Sequence, residues 1–181
     1  GKYVRMGADF QCIAAKYMGA PHSSGLALGT EETVHKISLQ SFVGYEGRRV
    51  RGIGRPHKVD RQEMVGVVAA VKRWMTLNHE DRLSDAERKS QTIVQSLSGI
   101  DGVSAEMIDN VIGHMAFGVH VEVDPSKAGL TVYQVVDRLK AGDPSIWTRV
   151  RDDQDWIDIH VFGLADGETE IVGERMAALF K

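Results

Sequence analysis

Two alternating segments in the second half of the chain narrow the fold most. In GVHVEVD (118–124), Val119, Val121 and Val123 fall on one side, with His120 and Glu122 on the other. DWIDIHVFGL (155–164) repeats the pattern through Ile157, Ile159 and Val161. A period of two sends successive side chains to opposite faces, so each segment is a strand with one buried face. Strands of this kind belong to an antiparallel sheet covered on one side only. The cover is present as amphipathic helices: LTVYQVVDRLKAG (130–142), capped by Thr131 and ended by Gly142, and the closing GETEIVGERMAALFK (167–181). GVSAEMID (102–109) adds a weaker strand and SIWTRVR (145–151) a further one. The region after residue 100 therefore reads strand, strand, helix, strand, strand, helix, an α+β unit with helices on one face of its sheet.

Two long helices precede it. Asp60-Arg-Gln-Glu63 has the form of a capping box and opens MVGVVAAVKRWMTL (64–77), whose near-continuous apolar character predicts a helix buried on most sides. A second helix is expected over 81–98, with Leu83, Ala86, Ile93, Val94 and Leu97 on one face and Gly99 as its stop. Residues 44–58, GYEGRRVRGIGRPHK, are glycine-rich, basic and without periodicity, and read as loop. Thr30 caps a helix carrying Glu31 and Glu32 in its first turn. Before it, Asp9 to Ala15 and SGLALG (24–29) read as buried strands.

Bulk properties exclude several classes. With 43% hydrophobic and 26% charged residues, the 181-residue chain has the composition of an ordinary soluble globular protein, of one domain or two small ones. A formal charge of −3 argues against a nucleic-acid-coating surface. Cys12 is the one cysteine, so no intrachain disulfide can form; a cytoplasmic setting is expected, with Cys12 as a small hydrophobe inside its strand. The run MVGVVAAV is too short to span a bilayer, and no signal peptide is visible. The opening GKYVRMGADF enters a strand pattern within ten residues and has no initiator Met, which suggests the C-terminal portion of a larger protein.

Chemistry concentrates in ADFQCIAAKYMGAPHSSGLALG (8–29). Lys16 ends an apolar strand, where an amine is costly unless it is paired, solvated or chemically used. Gly19, Ala20, Pro21, Ser23, Ser24 and Gly25 follow it, small groups that let a ligand approach the backbone. His22 beside Ser23 and Ser24 suggests a Ser–His pair, but no G-x-S-x-G elbow supports a hydrolase. Arg48, Arg49, Arg51, Arg55, His57 and Lys58 make a basic loop able to hold a phosphate, a carboxylate or a nucleic-acid backbone. His120-Val-Glu122 and Asp158-Ile-His160 each place two metal-capable groups on a strand face. The polar outer face of a sheet with cross-strand charge pairs is the reading adopted, and no metal is assigned.

This segment resembles the lysine region of the fold-type I pyridoxal-phosphate enzymes. The similarity is to the branch of selenocysteine synthase (L-seryl-tRNA selenium transferase) and the D-glucosaminate-6-phosphate ammonia-lyase-like proteins, which are aminotransferase class V-like. Gly7-Ala8-Asp9, Lys16, Gly19-Ala20-Pro21 and Leu26-Ala27-Leu28-Gly29 fill the family's places. GRPHKVDRQEMVGVVAAV (54–71) and GLADGETEIVGERMAALF (163–180) match two further family stretches in order. Ile13-Ala14-Ala15 and His22 depart from the family pattern around the lysine.

The resemblance implies the end of a large α/β PLP-transferase domain over 1–60, connecting helices over 61–99 and a small C-terminal α+β domain over 100–181. It implies pyridoxal 5'-phosphate as cofactor, Lys16 as its catalytic Schiff-base lysine, His22 and Ser23 beside the cofactor, and Arg55 at the substrate. The implied activity is that of a lyase or transferase, by α,β-elimination with ammonia release or by replacement, on an amino-acid or amino-sugar-acid substrate. The implied assembly is a homo-oligomer, a dimer or larger, and the isolated chain is expected to be inactive. An aminotransferase of the same fold, or a non-catalytic α+β binding or assembly domain, are the alternatives.

Overall fold

The computed structural model describes residues 2–47, 53–110, 116–148, 150 and 153–181. It forms two compact units, residues 1–77 and 78–181. Arg48, Arg49 and Arg51 of the basic loop, and Arg149 and Arg151 of the expected strand over 145–151, lie outside the described residues.

The first unit opens with a single helical turn, α1 (Lys2–Arg5), followed by strand β1 (Phe10–Ala14). A 3-10 turn (Ala15–Met18) carries the chain toward strand β2 (Gly25–Gly29), which pairs antiparallel with β1 so that Cys12 faces Ala27. Helix α2 (Glu31–Leu39) starts where expected, with the Thr30 hydroxyl accepting from the Thr33 N–H. Ser41 then caps a short helix, α3 (Phe42–Glu46), so residues 44–46 end a helix instead of opening the loop. Helix α4 (Arg61–Thr76) closes the unit.

Burial in this unit departs from the sequence expectation. Among its described residues the buried apolar side chains are Ala15, Ala20 and Ala70, with Met18 and Val67 packed partly against them. β1 and β2 are covered on one side only: Gln11 and Ile13 are half-buried, while Cys12 is exposed and free rather than buried. Helix α4, expected to be enclosed, buries Ala70 alone and leaves Val65 69% and Met75 79% exposed. The physical reason is the shortage of surface to pack on, because α4 meets chiefly the turn after β1.

The second unit follows the alternating pattern closely. Helix α5 (His79–Leu97) leads into strands β3 (Val103–Asn110) and β4 (Ala116–Val123), the short helix α6 (Pro125–Ala128), helix α7 (Val132–Ala141), strand β5 (Trp156–Ile159) and helix α8 (Glu168–Ala178). The sheet order is β3-β4-β5, antiparallel throughout, with Val119 opposite Ile159 and Val121 opposite Ile157. The inward valines and isoleucines join Ile93 and Leu97 of α5, Val135 and Leu139 of α7, and Val172 and Met176 of α8 in one core. Thr131 and Gln134 form a reciprocal capping box at the start of α7.

The expected strand at 145–151 does not form over its described residues. The Ile146 N–H donates to the Leu139 carbonyl at 2.9 Å, and Lys140 Nζ lies 4.2 Å from the Trp147 ring centroid. The segment thus folds back on the end of α7 instead of pairing with β5. Both described sheets are small and antiparallel, and the architecture is α+β.

Candidate active site

Lys16 lies two residues beyond the end of β1, inside the 3-10 turn, and its side chain is exposed. The expectation of an amine desolvated at the mouth of a buried strand is not met within this unit. What the unit supplies is a fixed backbone. The Ala15 N–H donates to the Ser24 carbonyl at 3.0 Å, tying together the two ends of the loop that carries Lys16. The Gly19 N–H donates to the Lys16 carbonyl at 2.9 Å and the Ala20 N–H to the Ala15 carbonyl at 3.2 Å. Gly19 closes the turn at φ +87°, a left-handed conformation that side-chain-bearing residues rarely adopt. Lys16 Nζ stands 5.3 Å from the Tyr17 ring centroid and makes no ion pair among the described residues.

His22 is exposed on the same loop. The Ser23 hydroxyl donates to Glu63 Oε1 in the first turn of α4. That contact changes the expected capping box: Asp60 Oδ1 accepts from the Gln62 N–H at 2.7 Å, and Glu63 reaches the loop instead of its own N-cap. Sequence reasoning therefore placed Glu63 on a helix end and missed it as a loop partner. Its signal was the series Glu63, Gly66, Ala70, Arg73, which shares one helix face.

Arg55 stands apart from the lysine loop in its contacts. Its Nε lies 3.6 Å from Glu46 Oε1, and its guanidinium carbon 5.7 Å from the Phe42 ring centroid. Lys58 Nζ lies 4.8 Å from the same ring. An open groove of about 540 Å³ is lined by Phe10, Ile37, Ile53 and Val59 together with Lys36 and His57. Lys16, His22, Ser23 and Arg55 are not among its lining residues.

In the second unit the cross-strand charge pair is formed. His120 is opposite Asp158 in register, and its Nδ1 lies 2.7 Å from Asp158 Oδ1, while Nε2 is 3.5 Å from Glu122 Oε1. Partial burial of the ring works against its charged form. The hydrogen bond and charge of Asp158, joined by those of Glu122, outweigh it, so the His120 pKa lies above its usual value. His160 is exposed, and among the described residues no group of three or more His, Cys, Asp or Glu is arranged to hold a metal ion. No helix among the described residues is long and apolar enough to cross a membrane.

No protein-family model matches the chain. It is 28% identical over 149 residues to a 5'-C-glycyluridine monooxygenase-decarboxylase from Streptomyces sp, covering 82% of this chain and 35% of that protein. It is 26% identical over 148 residues to the D-glucosaminate-6-phosphate ammonia lyase of Salmonella typhimurium, covering 81% of this chain and 36% of that protein. The chain thus spans about a third of the length of these curated relatives, both of which are enzymes. A solved D-glucosaminate-6-phosphate ammonia-lyase structure superposes with a TM-score of 0.66 at 24% identity, over 98% of this chain and 45% of that one. Over its matched part, the chain has the fold of that ammonia-lyase.

Proposed function

We propose that this chain is the lysine-bearing part of a pyridoxal-phosphate-dependent enzyme that acts on an amino-acid group carried on a sugar-derived skeleton, with ammonia release as its reaction. The observation that carries this reading is Lys16: an exposed amine, without an ion pair among the described residues, on a loop closed by backbone hydrogen bonds between paired strands. The substrate class rests on the relatives' names. One name gives a glycyl-substituted uridine and the other the phosphate of an amino-sugar acid, so each named compound has an amino-acid unit on a sugar frame.

The residues present fit attachment of the cofactor through an amine. Lys16 is reachable, on a turn that Gly19 closes in a left-handed conformation. When bound, pyridoxal phosphate supplies a carbonyl for amines and a ring that accepts electrons from the substrate's α-carbon. Lys16 Nζ would hold the cofactor and then carry the proton to and from that carbon. His22 would flank the cofactor from the same loop. Arg55 would meet a carboxylate or phosphate of the substrate, in competition with Glu46. Desolvation of the amine would come from surfaces beyond the first unit, consistent with a site completed in a homo-oligomer.

The test is borohydride reduction in the presence of pyridoxal phosphate, followed by peptide mapping. The expected result is label concentrated on the Lys16 peptide and lost in Lys16→Arg. Label spread evenly over the chain's lysines would overturn the reading. Ammonia release from an amino-sugar acid, against keto-acid exchange, then separates a lyase from an aminotransferase.

A further inference from the structure

One face of α4 grips the Lys16 loop from behind. Glu63, Gly66, Ala70 and Arg73 recur every three or four residues, the spacing of a single helix face. At Gly66 a β-carbon would lie 2.8 Å from Pro21 Cδ, so the helix reaches the loop there only because it has no side chain. Ala70 and Val67 pack with Ala15, Met18 and Ala20. At the far end, Arg73 Nη1 lies 3.8 Å from where a Gly19 β-carbon would stand. Glu63, at the start of this face, accepts the hydrogen bond of the Ser23 hydroxyl. Ser24, the next residue, donates from both its N–H (3.1 Å) and its hydroxyl (2.6 Å) to the Pro21 carbonyl, and its own carbonyl holds the Ala15 N–H.

We infer that Ser23 is a positioning residue, acting through Glu63 to set the Lys16 turn, and is not a ligand for a cofactor phosphate. A serine hydroxyl has one proton to donate. Donating to a phosphate requires that proton, and here it is engaged in the hydrogen bond to Glu63. The Glu63 carboxylate also puts negative charge beside Ser23, which repels an anion at that spot. The path from Glu63 to Lys16 runs Ser23, Ser24, Ala15, each step a covalent neighbour or a hydrogen bond already described. The inference refines the reading of Lys16 as the cofactor lysine and rests on that reading for its consequence, though its geometry stands without it.

The experiment uses the full chain and has two arms. In the first, amide hydrogen exchange is followed at Ala15, Gly19, Ala20 and Ser24. Ser23→Ala and Glu63→Ala should each speed exchange about fivefold, the loss of one hydrogen bond. The double variant should be no faster than either single one, and Glu63→Gln, which keeps an acceptor oxygen, should restore the slow rate. Unchanged exchange in Ser23→Ala, or additive effects in the double variant, would overturn the proposal. In the second arm, Lys16 is labelled by borohydride with pyridoxal and with pyridoxal phosphate. Ser23→Ala should lower both alike, whereas a loss confined to the phosphate form identifies Ser23 as a phosphate ligand and refutes the inference. If Lys16 of the unaltered chain takes up neither compound, the cofactor reading fails, and the exchange arm still decides the role of Ser23.

Discussion

Ile93 offers the sharpest test of where the second unit's stability resides. Its side chain is 0% exposed near the C-terminal end of α5 and sits in the core with Leu97, Val119, Val121, Ile157 and Met176. Ile93→Ala removes three buried carbons, a transfer loss of about 2.4 kcal/mol at ~0.8 kcal/mol each. A void of about 75 Å³, if nothing collapses into it, adds up to about 1.8 kcal/mol. The better helix propensity of alanine returns about 0.4 kcal/mol. The net cost lies between about 2 kcal/mol with full collapse and about 4 kcal/mol with none. Hydrogen exchange at Val119 and Val121, on the central strand of the sheet, should quicken by about 30-fold to about 500-fold under conditions where exchange reports equilibrium unfolding. Ile93→Val should cost only about 0.5–1.5 kcal/mol. If the alanine variant costs less than about 1 kcal/mol, or if valine and alanine cost the same, α5 does not anchor this core as argued.

Two further predictions concern charge. The His120 pKa is raised in the folded chain above its ordinary 6.5, so its contribution to stability is fully present below that value and lost as pH rises through the folded pKa. Comparing urea midpoints of the native chain and His120→Gln from about pH 5.5 to about pH 8.5 should show the native advantage shrinking with pH, as the ring loses the charge that Asp158 and Glu122 favour; Glu106 lies across the strand from it. An advantage that is flat or grows with pH would refute it. Asp85 behaves oppositely. Hydrogen bonds from Lys89 first and Arg88 second hold its carboxyl below the ordinary 3.8, so its contribution is present above that value and lost as pH falls through the folded pKa. Asp85→Asn also leaves the buried Lys89 ammonium with the Leu164 carbonyl as its remaining partner among its described contacts, so this variant should destabilise near neutral pH and converge on the native chain in strong acid, as read by thermal melts.

The second unit was legible because its signals are local. Alternation through Val119, Val121 and Val123 depends only on the pleat, and the Thr131 cap only on the turn that follows it. What failed needed knowledge of a partner. SIWTRVR has strand propensity, but Ile146 is bonded to the end of α7, and propensity in strands yields to whatever surface is at hand. Glu63 reads as a helix-capping residue, yet a serine forty positions earlier takes it.

The same distinction explains the first unit. The apolar pattern of 64–77 correctly predicts a helix, because periodicity and propensity act within the segment. It wrongly predicts burial, because burial is set by what lies opposite. With Ala15, Ala20 and Ala70 as the buried side chains among its described residues, this unit removes few carbon atoms from water, and a two-stranded ribbon is marginal alone. Val65, Val68 and Met75 on α4 are accordingly left exposed although their pattern reads as a buried face. Lys16 is likewise exposed, on a turn closed by backbone hydrogen bonds among Ala15, Lys16, Gly19, Ala20 and Ser24, so local sequence places its backbone without setting its burial.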